Sequence, residues 1–157
     1  MVTIPFHILL VEDDPNDVRL IERAFRKAKI VNPFHVVGDG EEAISYLAGK
    51  GQYSNRAQFP LPALILLDLK LPRKSGLEVL EWVRKQPPLK RLPIVILTGS
   101  KQSSDINRAY DQGANSYLVK PVAFEEFQQM LSTLYNYWAE LNKKPDVNIP
   151  HASFTDR

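Results

Sequence analysis

The chain has 157 residues, of which 44% are apolar and 24% are charged, as expected of one globular domain with its own hydrophobic core. Its 20 Lys and Arg and 18 Asp and Glu leave a net charge of +2, which gives no reason to expect nucleic acid or an anionic membrane as a partner. It has no cysteine, no signal-peptide pattern and no apolar run near the ~20 residues that cross a bilayer, so disulfides and thiolate metal sites are excluded and a cytoplasmic location is expected.

Five short and almost continuously apolar runs predict β-strands. They cover residues 6–11, 34–37, 64–67, 94–97 and 116–119. Because the runs are apolar on both faces of a pleated strand, they are typical of a parallel sheet that helices cover on both sides.

Segments with helical periodicity separate the strands, and the first two have clear start signals. Asp14 can cap the first helix, and Pro15 occupies the first helical position, where a missing N–H does no harm. Asp39 and Glu42 have the spacing of a reciprocal cap at the start of the second helix.

The later segments complete the pattern. The fourth helix is predicted to end at Gly113, and the last to cover residues 123–142. Residues 49–62 form a long, polar insert between the second helix and the third strand, and residues 143–157 are predicted to be a loosely ordered tail. We therefore expect one domain over residues 1–142.

Strict alternation of five strands and five helices predicts a doubly wound α/β fold. Right-handed crossovers leave few topologies for such a chain. Among these we predict a flavodoxin-like (βα)5 fold whose parallel sheet has the strand order 2-1-3-4-5.

Acidic residues follow two strands that would be neighbours in this sheet. The first strand ends in Val11-Glu12-Asp13-Asp14 and the third in Leu67-Asp68, so at least three carboxylates converge on one crevice. Two unit charges 4 Å apart repel by ~4 kcal/mol at an effective dielectric of 20. Mg²⁺ would relieve this repulsion, because it prefers oxygen ligands and is commonly held by carboxylates.

Asp68 could be a metal ligand or a nucleophile, and the other strand ends favour the second role. Thr98 offers a hydroxyl at the end of the fourth strand, and Lys120 offers an ammonium at the end of the fifth. A donor, a cation and a metal around a carboxylate would stabilise a transferring phosphoryl group. Attack by Asp68 would then give an acyl phosphate.

Four motifs together resemble those of two-component receiver domains. They are Val11-Glu12-Asp13-Asp14, Leu66 to Pro72 with Gly76, Leu97-Thr98-Gly99 and Lys120-Pro121. The resemblance covers roughly residues 6–140, with the motifs in the family's order and on the matching elements.

The resemblance implies a role for each residue around the metal. Asp68 would be the phosphoacceptor. Asp13 would bind Mg²⁺ directly, together with Asp68 and the backbone carbonyl of Lys70. Glu12 would hold a metal-bound water.

The resemblance to receiver domains also implies a conformational switch. Lys120 would pair with the phosphoryl oxygens, and Thr98 would hydrogen-bond the phosphoryl group and shift when that group arrives. Tyr117 matches the aromatic residue that turns inward as Thr98 moves. Such a protein is a phosphoacceptor signalling protein rather than an enzyme acting on other substrates.

Three features resemble those of small single-domain response regulators of bacterial, cyanobacterial-type phytochromes. They are the insert, the segment Asn16-Asp17-Val18-Arg19-Leu20 and the long last helix. This resemblance implies a phytochrome-type histidine kinase as partner. The signal would then pass by contact with a downstream protein or by onward phosphotransfer.

The last helix carries more apolar residues than one stripe packed on a sheet requires. They are Phe124, Phe127, Met130, Leu131, Leu134, Tyr135, Tyr137, Trp138 and Leu141. This surplus predicts a surface for self-association or for a partner. The resemblance to receiver domains, which often form such dimers, implies a homodimer through helix four, strand five and helix five. The alternative is that the insert folds over these side chains.

Several residues have plainer interpretations. We interpret Asp14 as a helix cap rather than a ligand, and Tyr117 could be an ordinary core aromatic. Lys70 could control the access of a phosphodonor, whereas we interpret Arg73 and Lys74 as a solvated loop.

Three alternative functions are open. The first is an intermediate receiver of a phosphorelay. The second, an aspartyl-phosphate phosphatase, would need an acid two residues after its nucleophile, where this chain has Lys70. The third, a flavodoxin-like cofactor binder, would need a Ser-, Thr- or Gly-rich phosphate loop where residues 12–14 are acidic.

Overall fold

A computed structural model describes residues 6–31 and 34–147 of the chain. They form one parallel sheet with the strand order β2-β1-β3-β4-β5, which confirms the predicted flavodoxin-like topology. The strands are β1 (Ile8–Val11), β2 (Phe34–Val37), β3 (Leu64–Leu67), β4 (Ile94–Thr98) and β5 (Ser116–Val119). The first strand begins at Ile8 rather than at residue 6, and the buried Phe6 ring packs edge-on against Tyr135 instead.

Helices connect the strands in the predicted alternation. They are α1 (Pro15–Lys27), α2 (Gly40–Ala48), α3 (Gly76–Lys85), α4 (Ser103–Asp111) and α5 (Phe124–Tyr135), and α5 continues into a wider, π-helical turn (Asn136–Leu141). The chain leaves α4 through Gly113, whose φ of +102° is one that glycine adopts without a steric penalty.

Side chains cap the first two helices as their sequences predict. The Asp14 carboxylate accepts a hydrogen bond from the Asn16 N–H at 2.8 Å, and that of Asp39 accepts from the Glu42 N–H at 2.8 Å. The reciprocal cap at α2 is displaced, however. Glu42 accepts from the Gly38 N–H at 3.1 Å rather than from Asp39, because its other oxygen is held by the Tyr53 hydroxyl at 2.5 Å.

The sheet has a hydrophobic core on each face. Alternate strand residues such as Leu9 and Val11 pack with α2, α3 and α4, whereas Ile8 and Leu10 pack with α1 and α5. Because β1, β3 and β4 are buried along their whole length, the carboxyl ends of these strands are held firmly relative to one another.

The insert packs against α2 rather than over the last helix, so the alternative in which it covers the α5 aromatics is wrong. The Arg56 guanidinium donates to the carbonyls of Tyr46 at 2.8 Å, Leu47 at 2.7 Å and Phe59 at 3.2 Å. Carbonyls in the last turn of a helix lack the usual intrahelical partner, and Arg56 donates to two of them at the end of α2, where Tyr46 also accepts from the Gly49 N–H at 3.1 Å.

The beginning of the tail contacts the domain. The Lys144 ammonium lies 4.8 Å from the centroid of the Phe6 ring, and Val147 packs against the core. Residues 148–157 lie outside the described residues, so both the loosely ordered tail and the domain boundaries stay predictions. In the described ranges, no helix is both long and apolar enough to span a membrane.

Arg84, in the last turn of α3, ties three segments together at the amino-terminal side of the sheet. Its guanidinium donates to the carbonyls of Gly113 at 2.9 Å, Lys90 at 2.9 Å and Leu92 at 2.8 Å, and to the Asn115 amide oxygen at 2.9 Å. This side chain therefore fixes the start of β4 and of β5.

We expect Arg84→Ala to lower the free energy of unfolding by roughly 3 kcal/mol, because it leaves several carbonyls without a donor. Urea denaturation measures this change. Lys85→Ala is the matched control, because the Lys85 pair with Glu81 is exposed and its loss should cost only ~0.5 kcal/mol. Equal losses for the two variants would contradict the role of Arg84.

Candidate functional site

A polar crevice of about 350 Å³ lies at the carboxyl ends of β1, β3, β4 and β5. It is lined by Glu12, Asp13, Asp14, Asp17, Asp68, Lys70, Thr98, Gly99, Ser100 and Lys120. The structure thus brings together all the predicted site residues except Tyr117, which lies nearby on β5.

Backbone pairing continues one residue past the strands and sets the positions of the site residues. The Glu12 N–H donates to Val37 at 3.0 Å, and the Asp68 N–H donates to Val11 at 3.1 Å. The Lys120 N–H likewise donates to the Thr98 carbonyl at 2.8 Å. Each of these side chains therefore begins from backbone that the sheet itself holds in place.

Three carboxylates form a cluster at the centre of the crevice. One oxygen each from Glu12, Asp13 and Asp68 lies within 4.8 Å of the others. Glu12 and Asp68 are buried, whereas Asp13 is exposed. An all-oxygen set with one solvent-facing member suits Mg²⁺, which keeps several of its waters. The donor chemistry therefore fits the predicted ion, and Lys70, whose backbone carbonyl is the further predicted ligand, lines the same crevice.

The Lys120 ammonium lies among carboxylates. It donates to Asp68 at 2.9 Å, to Asp17 at 2.8 Å and to Glu12. All three of its N–H donors therefore have an anionic acceptor. Burial would lower the pKa of Lys120, but its hydrogen bonds to Asp17, Glu12 and Asp68 raise that pKa above its ordinary value.

The two buried carboxylates differ in their affinity for a proton. Burial raises the pKa of Glu12 to about 7, assisted by the charge of Asp68 and opposed by Lys120. Burial also acts to raise the pKa of Asp68, but Lys120 and the hydroxyl of Thr98 outweigh it and hold that pKa below its usual value. A proton entering the crevice therefore goes to Glu12 and leaves Asp68 ionised.

Two hydrogen bonds link Ser100, in the loop after Thr98, to β5 and α4. The Tyr117 hydroxyl donates to the carbonyl of Ser100, two residues after Thr98, at 3.0 Å. The Ser100 hydroxyl in turn donates to Asp105 in the first turn of α4 at 2.5 Å. The Tyr117 ring also packs against the core, so both interpretations of this residue match its position, and its role as a switch stays a prediction.

The loop after β3 is more ordered than the sequence suggested. The interpretation of Arg73 as a merely solvated residue is incomplete, since its guanidinium pairs with Asp39 at 3.5 Å and Glu41 at 3.4 Å. Arg73 also has a φ of +69°, a left-handed conformation uncommon for a residue with a side chain. The ion pairs hold this loop, which follows Asp68, against the start of α2.

Asp17 is a site residue that the sequence did not predict. It lies in the first turn of α1, three residues after the Asp14 cap, and contributes the third acceptor of Lys120. A signal in the sequence could have identified it: Asp17 is an acid in the first turn of a helix whose cap, Asp14, follows the acidic end of β1.

Three comparisons with known proteins bear on this site. The family model of the response regulator receiver domain matches residues 8–132. The probable methanogenesis regulatory protein FilR2 of Methanothrix harundinacea is 38% identical over 144 residues, which cover 90% of this chain and 88% of FilR2. Response regulator Rcp1 of Synechocystis is 38% identical over 136 residues, which cover 87% of this chain and 90% of Rcp1.

Solved structures agree with these matches. The phosphorylated cyanobacterial phytochrome response regulator RcpA has a TM-score of 0.84 and 37% identity, covering 90% of this chain and 99% of RcpA. The Mn²⁺-bound form of Rcp1 has a TM-score of 0.82 and 37% identity, with 90% and 99% covered.

Gly76, the first residue of α3, allows the helix to pass close behind Asp68. A Cβ atom at this position would lie 2.1 Å from the Asp68 carbonyl oxygen and 2.8 Å from the Leu69 Cα. Both atoms belong to the backbone and cannot rotate away.

We expect Gly76→Ala to lower the free energy of unfolding by roughly 3 kcal/mol, because Asp68 and α3 must separate. Gly99→Ala is the control in the same crevice, since nothing lies within 4 Å of its added Cβ, and its unfolding should stay near wild type. Urea denaturation of both variants measures the difference, and a Gly76→Ala protein of wild-type stability would contradict the close approach.

Proposed function

The chain belongs to the response regulator receiver family, and we propose that it accepts a phosphoryl group on Asp68 from a histidine kinase. The observation that carries this proposal is the environment of the Asp68 carboxylate. It lies 2.9 Å from the Lys120 ammonium, beside the acidic cluster of Glu12 and Asp13 and next to Thr98.

The proposed reaction follows from these charges. An ionised Asp68 oxygen attacks the phosphorus of a phosphohistidine, the P–N bond breaks, and its electron pair leaves on the imidazole. Lys120 then has a phosphoryl oxygen within reach of an N–H donor, and the Thr98 hydroxyl can donate to another. These groups oppose the negative charge that the transfer brings into the crevice.

Mg²⁺ is the cofactor we propose, held by Glu12, Asp13 and Asp68 with the Lys70 carbonyl. When bound, it would supply positive charge to both the acid cluster and the phosphoryl oxygens. The Mn²⁺-bound structure of Rcp1 supports a divalent ion in this family.

The partner kinase we propose is of the phytochrome type. RcpA is a cyanobacterial phytochrome response regulator, and its resemblance extends over 90% of this chain. FilR2, named as a probable methanogenesis regulatory protein, matches over an equal share, so the same fold also serves other pathways. An intermediate receiver of a phosphorelay is the second candidate, because the same site chemistry on Asp68 would serve it.

The signal would begin at Thr98. A shift of its hydroxyl toward the phosphoryl group would displace the following loop, whose Ser100 contacts both Tyr117 and α4. Phosphorylation would thereby shift the population of the α4–β5–α5 surface toward a partner-binding state. We propose a signalling role, with no catalysis beyond phosphoryl transfer to and from the protein itself.

We further propose that the chain forms a homodimer through this surface. Tyr110, Tyr137 and Leu141 are 49%, 50% and 66% exposed, and a groove of about 560 Å³ lies between β5 and α5. A second copy would cover these apolar side chains.

The first test is phosphorylation itself. Incubated with Mg²⁺ and acetyl phosphate, the wild type should form an acid-stable, base-labile adduct detectable by intact-mass spectrometry, whereas Asp68→Asn should form none. Asp111→Asn removes an exposed acid at the end of α4 and should be modified like the wild type. An equal adduct on Asp68→Asn, or none on the wild type, would exclude Asp68 as the acceptor.

The second test concerns the dimer. Sedimentation with and without beryllofluoride, a phosphoryl mimic, should show a dimer that Leu141→Glu weakens by at least tenfold, because a buried charge has no partner there. Val31→Glu is the control, since Val31 is 91% exposed beside the opposite edge strand, β2. A monomer under both conditions would rule out the interface.

A further inference from the structure

The three acceptors of Lys120 fall into two groups. Glu12 and Asp68 belong to the acidic cluster that suits a divalent cation, whereas Asp17 lies outside it. Asp17 is also on a different element, the first turn of α1, where the helix dipole favours a negative charge.

Lys120 and a divalent cation compete for the same oxygens. Both need the carboxylates of Glu12 and Asp68, and two cations held there repel each other strongly in a partly buried crevice. An ion that occupies the cluster must therefore draw acceptors away from Lys120. If no other anion were within reach, the Lys120 ammonium would either retain Glu12 and Asp68 and so weaken the binding of the ion, or move out into solvent.

We propose that Asp17 is a positioning residue that retains Lys120 when Mg²⁺ occupies the acidic cluster. Its carboxylate is 2.8 Å from the Lys120 ammonium and its side chain is 27% exposed, so it can keep this contact while Glu12 and Asp68 turn to the ion. This inference rests on the proposed function. It adds a residue that lets Lys120 stay beside Asp68 and reach an arriving phosphoryl group.

Mg²⁺ affinity, measured by isothermal titration calorimetry without any phosphodonor, tests the proposal. Asp14→Asn is the matched control, because Asp14 lines the same crevice, carries the same charge, and bonds the Asn16 N–H rather than Lys120. Asn caps a helix as well as Asp, so the control keeps α1 intact.

Asp14→Asn should weaken Mg²⁺ binding by about twofold through lost charge alone. Asp17→Asn should weaken Mg²⁺ binding about fivefold more than Asp14→Asn does. The reason is that Lys120 then keeps its hydrogen bonds to Glu12 and Asp68, which are less available to the ion. Asp17→Glu, which restores a carboxylate, should recover most of the affinity, and this recovery would distinguish positioning from damage to the fold.

Lys120→Met provides the decisive comparison. Removing the ammonium should tighten Mg²⁺ binding, and in that background Asp17→Asn should have no more effect than Asp14→Asn. The inference is overturned if Asp14→Asn and Asp17→Asn weaken Mg²⁺ binding equally when Lys120 is present. It is also overturned if the larger effect of Asp17→Asn persists in the Lys120→Met background. A wild type that binds no Mg²⁺ would instead remove the proposed function itself, so the two failures are distinguishable.

Discussion

The ion pairs of the Lys120 ammonium with the carboxylates of Glu12 and Asp68 are the interaction on which the site depends. These acids end adjacent central strands, and an uncompensated buried charge there would be strongly destabilising. The compensating charge comes from β5, at the edge of the sheet. The site therefore exists only while β1, β3 and β5 keep their relative positions through β4, whose five residues are all buried.

The rest of the chain keeps those positions. Arg84 fixes the loops at the start of β4 and β5, and Gly76 lets α3 approach the backbone of Asp68. The Arg73 ion pairs hold the loop after β3 against α2, while Arg56 attaches the insert to the other end of that helix. Order around Asp68 thus comes from contacts at both ends of the sheet.

The sequence predicted the strands, their order and the central acids because those features have a local cause: apolar runs, crossover geometry and strand ends that meet at one edge. It did not predict the packing of the insert, the Arg73 pairs or the Asp17–Lys120 contact. The Arg73 and Asp17 contacts join side chains from elements distant in sequence, whereas Arg56 of the insert donates to backbone carbonyls, which no residue type marks in the sequence. The displaced cap at Glu42 has the same origin, since Tyr53 of the insert holds that carboxylate.

Charge also explains why the crevice would respond to phosphorylation. Acidic residues outnumber basic ones in the lining of the crevice, where Lys70 and Lys120 face Glu12, Asp13, Asp14, Asp17 and Asp68, so negative charge is in excess before any phosphoryl group arrives. A divalent ion would offset part of that excess, and a phosphoryl group would then add to it. Neutral donors would then move in, and the Thr98 hydroxyl, which hydrogen-bonds Asp68, precedes by two residues the Ser100 that contacts Tyr117 and α4. An imbalance of charge at Asp68 would in this way become a change of shape at the α4–β5–α5 surface.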